Sequence, residues 1–150
     1  MKKLLCVVLA VILLLSCAGC VNLSYEDTNG EDNYALQTLT DADILRGASS
    51  STVLSSKVTV NDKTECKAKT MSGVVTLLEK KLNNEPLHIT VSCKISKGNA
   101  RLVLVLDDKI IHDFALNTEN QTFTLSNVTG KVRLKIAGES AGYEVTCIWK

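Results

Sequence analysis

Histidine occurs only twice, at His88 and His112, and aromatic residues make up 4% of the 150 positions. A transition-metal site needs three or four ligands in fixed geometry, and beyond the first twenty residues no Cys-x-x-Cys or His-x-Glu spacing supplies them. His88 and His112, the latter beside Asp113, therefore read as ordinary strand histidines. The Gly-x-Ser-x-Gly elbow of serine hydrolases is missing, since Ser72-Gly73 lacks the preceding glycine. Acids such as Glu79, Glu119 and Glu144 are scattered and give no pair to place across a glycosidic bond. Asp107, Asp108 and Asp113 would offer oxygens to calcium, but the adjacent pair is more simply a hairpin turn. These absences leave no metal, no cofactor and no enzymatic chemistry to expect. Scarce aromatics also remove a sugar-stacking platform, because Tyr143 and Trp149 fall on one apolar face and are expected in the core. The formal net charge of +1 carries no basic stripe of the kind nucleic acid attracts. No internal repeat is present.

What is present is concentrated at the start. Met1-Lys2-Lys3 is cationic, and residues 4–15 (LLCVVLAVILLL) form an uncharged apolar run. A spanning helix needs about 20 such residues, so the run has the length of an export signal helix rather than of a permanent membrane span. Ser16-Cys17-Ala18-Gly19-Cys20 follows. This segment resembles the lipobox of bacterial lipoproteins, in which small residues precede a cysteine that receives diacylglycerol before the signal is cut. The resemblance covers residues 1–20 and implies lipidation at Cys20, with Cys17 the alternative: Ala18-Gly19 favours the first, Leu14-Leu15-Ser16 the second. It also implies a chain held by its acyl groups at the outer side of the cell membrane, since two or three acyl chains anchor nearly permanently.

Residues 21–56 carry six acids against Arg46 and a serine cluster at residues 49–51. Their net charge of −5 and sparse apolar content read as a flexible acidic tether. Within it, Thr40 can cap one helical turn through Ile44 and Leu45, closed by Gly47. Residues 57–150 have a net charge of +4 and a period of two. Ile89, Val91, Cys93 and Ile95 alternate with polar residues, as do Phe123 and Leu125, then Val132, Leu134 and Ile136, then Tyr143, Val145, Cys147 and Trp149. The run from Leu102 to Leu106 is apolar on both faces, which predicts a central strand covered from each side. Turn-forming residues at 83–86, 97–99, 107–108, 117–120, 127–130 and 138–142 divide the domain into strands. The prediction is an all-β, antiparallel two-sheet sandwich of about eight strands over residues 57–150, with Ile89, Val91, Leu104, Phe123, Leu134, Ile136, Val145 and Trp149 in its core. Three modules, Ser72-Gly73-Val74, residues 130–136 and residues 142–149, resemble jelly-roll-like sandwiches of small bacterial lipoproteins. That resemblance implies a fold and no activity.

Three cysteines, Cys66, Cys93 and Cys147, remain in the domain. Their odd number points to reduced core thiols, Cys93 and Cys147, which both alternate inward, being the only pair worth considering. Lys131, Arg133 and Lys135 project from one strand face as a cationic row about 13 Å long. It is the candidate binding face, for acidic cell-wall polymer or another envelope protein, against the plainer reading of a solvated sheet surface that discourages edge pairing. The sequence thus favours a non-catalytic, lipid-anchored binding or structural module. A small extracytoplasmic enzyme, or an accessory subunit or inhibitor docking on an envelope protein, is the alternative.

Overall fold

The computed structural model describes residues 34–150. The expected export signal over residues 1–20, with the candidate lipidation residues Cys17 and Cys20, and the first part of the acidic segment lie outside the described residues. The described residues form one compact unit. Its elements are a short helix α1 (Asp41–Arg46) and strands β1 (Ser51–Val60), β2 (Lys63–Leu106), β3 (Lys109–Phe114) and β4 (Thr118–Trp149).

The domain is all-β and antiparallel, as the alternation predicts, but it is a single sheet of four strands, two of them very long, rather than two sheets of about eight. The C-terminal part of β4 is bracketed by β2 on both edges: Val145 pairs with Cys66 and with Cys93, and Ile136 with Val75 and with Leu102. β1 extends the β2 end of the sheet, while β3 and residues 118–125 line the far side of β2. Only two of the predicted breaks, at 107–108 and near 117–120, end a strand, and a third break at Asn61-Asp62 was not predicted. Asn61-Asp62 and Asp107-Asp108 make tight hairpins whose first residue has φ near +50°, and residues 115–117 separate β3 from β4. Elsewhere the same residue types act inside strands. Asn84, Gly98, Asn127 and Ser140 take positive φ where the ladder shifts register or bends, and Pro86 occupies a register shift where a missing N–H costs nothing. A turn and a bulge ask the same backbone freedom of a residue, so composition alone does not separate them.

Residues from distant parts of one strand, such as Ala68 and Leu77 or Cys93 and Leu102, belong to one buried cluster, so the bent sheet closes over its own concave face. Seven of the eight predicted core residues are buried there. Phe123 is half-buried and Leu125 exposed, because residues 118–125 pair with β2 on one side only among the described residues. The doubly apolar strand is covered on both faces: Leu102 and Leu104 enter the concave core, while Val103 and Val105 join Ile44, Val74 and Ala137 in a second cluster.

That second cluster corrects the reading of residues 34–56 as tether. Ile44 is fully buried, with Leu36, Leu39, Leu45 and Ala48 packed beside it, and residues 51–60 are a strand ten residues long. The apolar residues of this segment are few, but they converge on one patch of sheet. α1 forms as its end signals dictate. Thr40 and Asp43 satisfy one another's backbone N–H groups in a capping box, and Gly47, at φ +76°, returns its N–H to Asp43 O.

Candidate functional site: the basic row and the strap across it

Lys131, Arg133 and Lys135 alternate along β4 and share a face, as the period of two requires. Their environments then diverge. Glu79, directly across from Arg133, accepts from Arg133 Nε at 2.9 Å and pairs with Lys131 Nζ at 3.1 Å. Those two cations hold the Glu79 carboxyl below the ordinary carboxylate range. Arg133 also donates Nη1 to the Asp107 carbonyl at 2.9 Å, tying the row to the β2–β3 turn. Lys135 is 4% exposed and presents no charge to solvent. Its ammonium donates to Ile44 O at 2.7 Å and Leu45 O at 2.9 Å. These are carbonyls in the last turn of α1, which have no partner within the helix. Burial, and then Arg133, push the Lys135 ammonium below the usual lysine pKa. The row therefore contributes two solvent-facing cations, both already ion-paired, and one structural lysine under the helix.

The strap of residues 34–48 is held at both sides of that lysine. Glu139, beside the bend at Ser140, accepts from the backbone N–H of Gln37, Thr38 and Leu39 at 2.9, 2.6 and 3.1 Å, and from Thr38 Oγ1 at 2.7 Å. Donation led by the Gln37 N–H and the Thr38 hydroxyl pulls the Glu139 carboxyl down to about 2. Arg101 forks onto Asp113, with Nε–Oδ1 at 2.6 Å and Nη2–Oδ2 at 3.2 Å, and also reaches Asp41 at the start of α1. Both carboxylates raise the Arg101 pKa, Asp113 the more. Glu139 and Arg101 were not legible as site residues. No local sequence signal marks them, because Glu139 meets Gln37 to Leu39 and Arg101 meets Asp41 only across about a hundred and about sixty positions of chain.

The remaining candidates do not converge. His88 is exposed on the polar face of its strand, and His112 packs edge-on to Phe114 (4.7 Å) and stacks on Phe123 (4.4 Å). Asp113 is engaged by Arg101, and Asp107 Oδ1 accepts the Lys131 N–H at 2.8 Å. Among the described residues no three His, Cys, Asp or Glu side chains gather as a metal site. Cys66, Cys93 and Cys147 are free and buried, with burial raising the Cys66 thiol and pushing Cys93 and Cys147 up to about 12. Tyr143 and Trp149 are buried as expected, and burial takes the Tyr143 phenol to about 12. Compared with protein-family models and with curated protein sequences, the chain matches none. Among the described residues no helix is long and apolar enough to cross a membrane.

Proposed function

We propose that the chain is an exported lipoprotein, acylated on Cys20 or, in the second register, Cys17, whose β domain acts by binding at the outer side of the cell membrane. The observation that carries this reading is the cationic start, the uncharged run over residues 4–15 and the Ser-Cys-Ala-Gly-Cys segment that follows it. Three acyl chains on one cysteine would hold the protein at the bilayer without a membrane-spanning segment. The thirteen residues from Val21 to Asn33, extended at about 3.3 Å each, keep the domain within roughly 43 Å of its anchor. Lys131 and Arg133 are the part of the basic row left to meet an acidic envelope polymer. Their shared Glu79 halves the charge they offer, so any such contact is weak and sensitive to salt.

Mass spectrometry of the protein from its own membranes tests the anchor. The expected mature N-terminus is an acylated cysteine at position 20. A mature form beginning elsewhere without added lipid mass refutes it. The enzyme alternative has its own test: a hydrolytic activity abolished by His112→Ala in a folded protein would replace the binding reading.

A further inference from the structure

β1 is exposed along its whole length, with Val53, Leu54, Val58 and Val60 between 53% and 74% accessible. It pairs with β2 on one edge, and its other edge has no ladder partner among the described residues. Beyond the bend at Gly73, residues 74–82 of β2 pair with β4 on one edge, and their other edge is likewise without a partner among the described residues. Between these two edges lie two cavities, of about 270 and 220 Å³, end to end. The first is walled by Thr52 and Lys57 of β1 and by residues 75–77, with Cys66 and Tyr143 at its floor. The second continues past Thr59 and residues 78–80, with Trp149 at its floor. The numbering advances in the same direction along both walls. β1 and residues 75–80 therefore run parallel to one another on either side of one groove, about 20 Å long at strand rise. A strand laid in the groove and running the opposite way is antiparallel to both walls, the pairing used throughout this sheet.

Two further observations describe what would lie there. The Trp149 indole Nε1 is buried and donates to nothing among the described residues, a vacancy that native cores rarely leave. Lys57 stands at the first cavity and Lys80 at the second, with Lys80 Nζ 5.8 Å from the Trp149 ring centre. Neither has a carboxylate partner among the described residues, whereas Glu79 is already taken by Lys131 and Arg133.

We propose that this groove is a docking slot for an extended polypeptide strand of a partner protein, antiparallel to β1 and to residues 75–80, with carboxylates at its inward positions, toward Lys57 and Lys80, and apolar side chains on its outer face. Lys57 and Lys80 share the inward face with their cross-strand partners Cys66 and Val132, and the outer face lies beside the exposed Val58 and Val60. Main-chain pairing supplies the attachment and the alternating pattern supplies the selectivity. The slot rests on reading the domain as a binding module and is independent of lipid on Cys20, so the mass-spectrometric result leaves it standing.

The full chain purified in detergent is titrated with three blocked hexapeptides: (Val-Glu)3, (Val-Lys)3, and (Val-Glu)3 N-methylated at alternate amides. Trp149, the only tryptophan, reports through its emission, and hydrogen exchange reports on the two edges. (Val-Glu)3 should change the emission saturably and slow exchange at least tenfold in residues 51–60 and 74–82. The other two peptides should bind at least tenfold more weakly, and Lys57→Glu with Lys80→Glu should reverse the preference toward (Val-Lys)3. Equal binding of the N-methylated peptide overturns strand pairing. The same emission change from acetate or inorganic phosphate at equal concentration makes the groove an anion pocket and overturns the proposal, as does unchanged exchange at both edges.

Discussion

Replacing Lys135 by methionine isolates the contact that joins the strap to the sheet. Methionine keeps most of the alkyl stem and removes the ammonium, leaving Ile44 O and Leu45 O without their donor. A buried acceptor left unsatisfied costs about 1–3 kcal/mol. The bond to Ile44 O is buried and suffers the full penalty, whereas that to Leu45 O is part-buried and can be rehydrated. Against the loss stands relief from desolvating an ammonium, which lowers the net contribution of any buried charge. The balance is a destabilisation of about 2 kcal/mol, which for a domain of this size lowers the melting temperature by roughly 6–10 °C. Urea unfolding should show a lower midpoint at an unchanged slope, and amide exchange should quicken first in α1. The pH dependence has a definite sign. The folded protein binds the Lys135 proton less tightly than the unfolded chain, so this group's contribution to stability rises as pH climbs through the folded pKa toward the ordinary lysine value. That rise should vanish in Lys135→Met. A change below about 0.5 kcal/mol, the level of an ordinary surface substitution, would refute the assignment of Lys135 as the clasp on α1.

Glu139→Gln should loosen residues 37–39, seen as faster amide exchange there. In the parent those contacts should be complete above the ordinary carboxylate range and lost only as pH falls through about 2, so the variant should show a weaker acid transition. Gly73→Ala places a Cβ 2.8 Å from the Ser50 Cα and into the Ser49 carbonyl, at a φ of +99° that side chains avoid. A loss of at least about 2 kcal/mol is expected by chemical denaturation, more than the left-handed strain alone explains. Thiol titration of the native domain should find Cys66, Cys93 and Cys147 slow to react, and all three should react once it is unfolded. A disulfide between Cys93 and Cys147 would leave only one.

Residues 34–48 change the meaning of the basic row. A strand face carrying Lys131, Arg133 and Lys135 looks like an outward surface when only the alternation is known. Once Ile44 fills the apolar patch made by Val74, Val103, Val105 and Ala137, Lys135 becomes a helix cap and Lys131 and Arg133 close on Glu79. Leu102 to Leu106 had announced that something covers both faces of that strand, without naming α1 as the cover.

The amino-acid order determined whatever depends on neighbours within a few positions. The period of two placed Ile89, Val91, Leu134, Ile136 and Val145 inward, Thr40 with Asp43 and Gly47 delimited α1, and Asp107-Asp108 made its hairpin, because side-chain direction and local capping are set by the backbone at hand. Tertiary structure alone decided whether a glycine or asparagine ended a strand or bent it. Asn83 to Pro86 and Gly98 stayed within β2 because residues 35 to 50 positions away in β4 continued the ladder across them. It also decided which charges reached solvent. Lys131 and Lys135 are four residues apart on one face, yet one pairs with Glu79 and the other is buried beneath a helix some ninety residues earlier in the chain, a contact for which no local pattern exists.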